Sequence, residues 1–120
     1  MHNEVPLLQK AYDFYRSYYE TVDHFSKKSR VALSVNIEDS ILDLIQLISN
    51  ASFANQTDKA KILNEASCRV DFLKLFFRLC YELRIIDQKK YFLFEEKILE
   101  IGKMIGGWMK SASHPWLRSG

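Results

Sequence analysis

A chain of 120 residues has room for one hydrophobic core, and 48% hydrophobic content with two prolines and four glycines excludes a disordered chain. The formal charge of +2 is unevenly spread: residues 1–58 hold five Lys/Arg against eight Asp/Glu, a net of -3, and residues 59–120 hold twelve against seven, a net of +5. A basic C-terminal half permits a polyanionic partner without demanding one.

The first helix is expected over 6–27, opened by Pro6, whose fixed φ suits a first helical turn. Leu8, Ala11, Tyr15, Tyr18, Val22 and Phe25 recur at spacings of three and four, and Tyr12, Phe14 and Tyr19 widen the stripe. The polar run Ser26-Lys27-Lys28-Ser29-Arg30 reads as the break. A second helix over 31–54 carries Ile37, Ile41, Leu44, Ile48 and Ala51 inward, with Asp39, Asp43, Gln46 and Asn50 on the opposite face. Asn55-Gln56-Thr57-Asp58 supplies a turn and a cap.

The third helix, over 58–84, places Ile62, Ala66, Val70, Leu73, Phe77 and Cys80 on one stripe, with Leu63, Phe76 and Leu83 beside it. Cys68 and Cys80 lie on this helix roughly 18 Å apart along the axis, beyond the reach of a disulfide, so both read as small buried hydrophobes in a reducing compartment. Asp87 is the expected cap of a fourth helix over 88–112, which His114-Pro115-Trp116 ends, leaving 113–120 as a tail. Four long helices with short connections give an all-α fold, an antiparallel up-and-down four-helix bundle in one domain spanning 1–120. With no basic-then-apolar leader and no long apolar run, a cytoplasmic protein is expected.

The fourth helix has two faces. Tyr91, Phe94, Ile98, Ile101, Ile105 and Trp108 form the core stripe, and Phe92, Leu99, Gly102, Gly106 and Met109 form a second stripe to its side. Three glycines in Gly102-Lys103-Met104-Ile105-Gly106-Gly107 cost roughly 0.5–1 kcal/mol each against alanine, which a close backbone approach would explain. Either the side stripe widens the core against a helix of the same chain, or it meets another subunit, for which a symmetric homo-oligomer is the economical cover.

Enzymatic signals are poor. No strand precedes the glycines to make a phosphate loop, Glu20 and His24 read as a helix-face pair, and no Glu-x-x-His exists for a di-iron site. Glu95, Glu96 and Glu100 read as a solvated face. No catalytic residue, metal ligand or cofactor is therefore assigned. Lys74 and Arg78 lie one turn apart, and Lys103 and Lys110 share an outer face. As bare pattern the first two read as solubilising pairs with Asp71 and Glu82.

Asn36-Ile37-Glu38-Asp39-Ser40-Ile41-Leu42, Leu73-Lys74-Leu75-Phe76-Phe77-Arg78-Leu79 and Ile101-Gly102-Lys103-Met104-Ile105-Gly106-Gly107-Trp108-Met109-Lys110 resemble the signature segments of the Avd family, the accessory variability determinants of diversity-generating retroelements. Ile86-Asp87-Gln88-Lys89-Lys90-Tyr91 supports the resemblance, which runs from about Arg30 to Ser111. It implies a four-helix bundle assembled as a homopentameric barrel that binds the retroelement's reverse transcriptase, RNA and DNA during mutagenic copying, without catalysis of its own. Lys74, Arg78, Lys103 and Lys110 match basic positions of the family and are the implied nucleic-acid or polymerase contacts. Phe92, Leu99, Gly102, Gly106, Gly107, Trp108 and Met109 are the expected residues of oligomer or close helix packing. Many relatives carry an arginine where this chain has Asn36, so a basic contact from the second helix is not expected. The same fold occurs in proteins encoded by intervening sequences of ribosomal RNA genes, the alternative identity.

Overall fold

The computed structural model describes residues 4–113, with side chains from 6 to 112. The expected His114-Pro115-Trp116 stop and the tail from 114 onward lie outside the described residues. Four long helices make up the described chain, with no strand among the described residues: α1 (Glu4–Val22), α2 (Val35–Phe53), α3 (Gln56–Glu82) and α4 (Gln88–Ser113). Each packs on its sequence neighbour, and α4 returns to pack on α1, closing a four-helix bundle of 50 × 22 × 19 Å.

The register shows that neighbours run antiparallel. Tyr15 and Tyr18 of α1 meet Glu38 and Ser34 at the start of the second helical stretch. Phe77 of α3 stacks on Phe94 of α4 with ring centroids 4.5 Å apart, while Tyr81, further along α3, stacks on the earlier Tyr91 at 4.8 Å. Phe14 of α1 closes the triad edge-on, 5.6 Å from Phe77 and 5.7 Å from Phe94. Aromatic pairs of this geometry add roughly 0.5–1.5 kcal/mol beyond burial alone.

The first corner differs from the expected one. α1 stops at Val22 rather than near Lys27, and Ser26 does not break a helix but opens one: its hydroxyl accepts the Ser29 amide at 3.2 Å, capping a short α-helical turn, Lys27–Ser29. Five residues, Arg30–Ser34, then run as π-helix before α2 proper begins. Phe25 is buried at this corner, edge-on to Tyr18 at 6.1 Å.

The α1 face keeps Ala11, Tyr18 and Phe25 of the expected stripe inward, while Leu7, Phe14 and Thr21 take the inward places expected of Leu8, Tyr15 and Val22. Leu7, Ala11, Phe14, Tyr18 and Phe25 are buried, with Thr21 between them bonding the Ser17 carbonyl. Leu8, Tyr15 and Val22 flank this line, and Tyr12 and Tyr19 face outward. Aromatic residues all round α1 blurred its period, whereas α2 buries Ile37, Ile41, Leu44, Ile48 and Ala51 as its spacing dictates. α3 buries Leu63 rather than Ile62 at its start, and Leu83 is exposed at its end.

The other two corners are held by caps. The Asn55 side chain accepts the Asp58 amide at 2.8 Å, so α3 begins at Gln56, and the Asp87 carboxylate accepts the Lys90 amide at 2.7 Å to start α4. α3 ends in a Schellman arrangement in which the Ile85 amide reaches the Cys80 carbonyl at 2.8 Å and Arg84 turns left-handed at φ 61°. Glycine is the usual residue there. An arginine costs about 1 kcal/mol by comparison, because its Cβ crowds the following carbonyl.

Candidate partner-binding surface

Surface chemistry starts with the basic residues. Lys74 and Arg78 both line a groove of about 460 Å³ between α3 and α4, whose floor and walls include Leu75, Phe77, Ile98 and Leu99. The Lys74 ammonium lies 3.9 Å from Asp71 and the Arg78 guanidinium 3.3 Å from Glu82, both at helix-surface spacing. These exposed pairs are worth about 0.2–0.5 kcal/mol each, and each sets one carboxylate against one cation, so the net charge of the two pairs cancels. Glu95, which accepts the Tyr91 hydroxyl at 3.0 Å, adds a further carboxylate to the rim. Lys103 and Lys110 are exposed further along α4, roughly 6 and 16 Å of axis beyond Leu99, with no ion pair among the described residues.

The fourth-helix glycines separate into two roles. A Cβ on Gly102 would come within 3.3 Å of the Val70 side chain, so this glycine lets α3 approach α4 inside the chain. Gly106 and Gly107 have nothing within 4 Å of such a Cβ. The close backbone approach expected of these glycines is therefore found inside the chain at Gly102, while Gly106 and Gly107 face open surface. Trp108 is buried against the core with the Lys59 ammonium 5.7 Å from its ring, while Phe92 and Leu99 are exposed and Met109 is half-buried.

A surface that the sequence reading passed over lies on α3. Phe72, Leu75, Leu79 and Leu83 are exposed at spacings of three and four, on the side of the helix away from Val70, Leu73, Phe77 and Cys80. Leu75 and Leu83 show 62% and 58% of their surface to solvent. Phe76, half-buried, stacks against Phe72 at 6.3 Å, and the Arg69 guanidinium lies 5.8 Å from the Phe72 ring centre. Leu75 meets the rim of the groove shared with Leu99 of α4. The signal was legible as a second three-four period in Phe72-Leu73-Lys74-Leu75-Phe76-Phe77-Arg78-Leu79-Cys80, apolar on both sides of the helix. A lone bundle does not need that face, and contiguous apolar surface of this kind marks a contact site.

Titratable groups in the interior answer to burial. Cys80, on the inner face of α3, has its thiol pushed up to about 11 by burial. Tyr18 is raised to about 12, chiefly by burial, with the Ser34 hydrogen bond opposing the rise. Cys68, expected to be buried as well, is exposed. Among the described residues no three His, Cys, Asp or Glu side chains gather, and no helix is long and apolar enough to cross a membrane.

The family model described as bAvd-like matches residues 6–112, and the chain belongs to that family. No curated protein and no solved structure matches the chain.

Proposed function

We propose that this member of the bAvd-like family is a non-catalytic accessory protein of a diversity-generating retroelement, a cytoplasmic homopentameric scaffold that binds the reverse transcriptase together with RNA and DNA. The observation that carries the binding role is the exposed apolar line Phe72, Leu75, Leu79 and Leu83 on α3, continued at Leu75 into the groove that holds Lys74 and Arg78. Apolar area of that extent supports a protein contact, either between subunits or with the polymerase. Lys103 and Lys110, exposed on α4, support attraction of a polyanion, which repetition around an oligomer would multiply.

One observation favours a second reading. Because Asp71 and Glu82 already neutralise Lys74 and Arg78, a structural bundle of the ribosomal intervening-sequence type, binding only protein, fits that surface too. The readings separate on salt. An accessory protein should retain labelled RNA and DNA at low salt and release them steeply as salt rises, and Lys74→Glu with Arg78→Glu should weaken that retention. Affinity unchanged between low and moderate salt overturns the electrostatic account. Co-purification with a retroelement reverse transcriptase tests the polymerase contact, and a solution mass measurement giving a stable monomer overturns the pentamer.

A further inference from the structure

The antiparallel order puts the α1–α2 corner and the α3–α4 corner at the same end of the bundle, within a cross-section of 22 × 19 Å. Lys27, Lys28 and Arg30 belong to the first corner, and Arg84, Lys89 and Lys90 to the second. Buried Phe25 and buried Ile86 anchor the two corners to the core, so their positions are fixed by packing. Arg30 donates to the Phe25 carbonyl at 3.2 Å; among the described residues none of the six takes part in an ion pair.

The acidic groups at this end are Glu20 on α1, Asp23 just past it, Glu82, Asp87, Glu95 and Glu96. Glu82 is engaged by Arg78 and the Asp87 carboxylate by the Lys90 amide, which leaves the lysines of both corners the freer charges. Beside them, Lys89, Lys90 and Phe92 line one concavity of about 450 Å³ with Asp87, Leu93 and Glu96, and the Phe92 ring is 54% exposed in it. Two lysines next to an open aromatic face suit a phosphodiester and the base stacked beside it. Arg84 adds an independent observation. It occupies a left-handed turn where glycine is easier, and a side chain kept at a strained position points to use of that side chain.

We propose that this end of the bundle is a binding site for single-stranded nucleic acid, with Lys27, Lys28, Arg84, Lys89 and Lys90 facing phosphates and Phe92 stacking a base. The site rests on the nucleic-acid part of the function proposed above and adds the end of the bundle to the groove of Lys74 and Arg78.

Fluorescence anisotropy with labelled 20-nucleotide RNA and DNA tests it on the full chain, beside a thermal melt. Arg84→Gly should raise the melting temperature by a few degrees while weakening binding and flattening the salt dependence by about one charge. Lys89→Glu with Lys90→Glu should weaken binding about tenfold or more at moderate salt, and Phe92→Ala roughly fivefold or more for single strands. Wild-type binding that these variants leave unchanged overturns the site and leaves the accessory function standing. A wild-type chain that binds no oligonucleotide even at low salt overturns both, as does preference for polyglutamate over RNA and DNA.

Discussion

The Tyr18 hydroxyl lies 3.0 Å from the Ser34 hydroxyl and 3.2 Å from the Ser34 carbonyl, inside the core at the last residue of the π-helical segment. That segment displaces backbone groups from the ordinary helical ladder, and π-bulges need partners for the groups they displace. Tyr18→Phe leaves both Ser34 acceptors without this donor. It should cost about 1–2 kcal/mol near neutral pH, read from the midpoint of urea unfolding.

Tyr18 and the buried Cys80 together set an alkaline limit. Burial holds the Tyr18 phenol at about 12 and the Cys80 thiol at about 11, both above their unfolded values, so the folded state favours the protonated form of each. Stability from these groups is complete below about pH 9 and falls as pH rises, through 9 to 11 for Cys80 and 10 to 12 for Tyr18. Each group accounts for roughly 2–3 kcal/mol at most. Urea midpoints measured at pH 7.5, 10 and 11.5 should fall steadily, and Tyr18→Phe should lose less than the parent between the last two. A midpoint flat to pH 11.5 contradicts the buried, protonated assignment.

The glycines of α4 now make different predictions. At Gly106 and Gly107 a methyl group meets nothing in the chain, so Gly106→Ala and Gly107→Ala should each stabilise an isolated bundle by about 0.5–1 kcal/mol through helix propensity. Gly102→Leu presses into the Val70 side chain and should cost about 1–3 kcal/mol by overpacking. If a second subunit packs at Gly106, Gly106→Leu lowers the mass seen in solution without lowering the stability of the monomer. Loss of monomer stability at Gly106→Leu would mean that the open space is filled from within the chain.

How legible the fold was depends on the helix. α2 separates apolar from acidic residues cleanly, so its period named the core residues, and Asn55 and Asp87 were legible as caps because their chemistry is local. In α1, Phe14, Tyr15, Tyr18 and Tyr19 spread around the helix, and the period alone, right at Ala11, Tyr18 and Phe25, was one residue out at Leu8, Tyr15 and Val22. Ser26 looked like part of a break because the capped turn it opens leads into a π-helix, whose spacing no 3.6-residue pattern reveals. On the surface, Lys74 and Arg78 stood out by spacing, and their partners Asp71 and Glu82 were equally visible. The basic end was not, since Lys28 and Lys89 are distant in sequence and come to one end of the bundle only through antiparallel packing.

Phe77 stands where three helices converge, stacked on Phe94, edge-on to Phe14 and 6.0 Å from the Tyr18 ring. It is 1% exposed, so the neighbours cannot relax into the space it leaves without shifting a helix. Phe77→Ala should therefore cost about 3–5 kcal/mol. Phe94→Ala should cost nearly as much, and the double variant less than the sum, because the two rings share one stack. Strict additivity in a double-mutant cycle would show that the rings contribute separately.

On the outer side of the same helix the expectation reverses. Leu75→Ser with Leu79→Ser removes apolar surface that water already reaches at Leu75 and reaches in part at Leu79, so the stability of an isolated bundle should fall by only about 1–2 kcal/mol, well short of the loss at Phe77. What should change is association. If this line of α3 is the protein contact, the double variant loses either its oligomeric mass or its capture of the reverse transcriptase, and the two losses tell which partner covers the face. The melting curve at low protein concentration supplies the control. A variant that stays folded, assembles as the parent does and retains the polymerase as the parent does shows that Leu75 and Leu79 contact neither, and leaves Phe72 and Leu83 no argument as a pair flanking a buried centre.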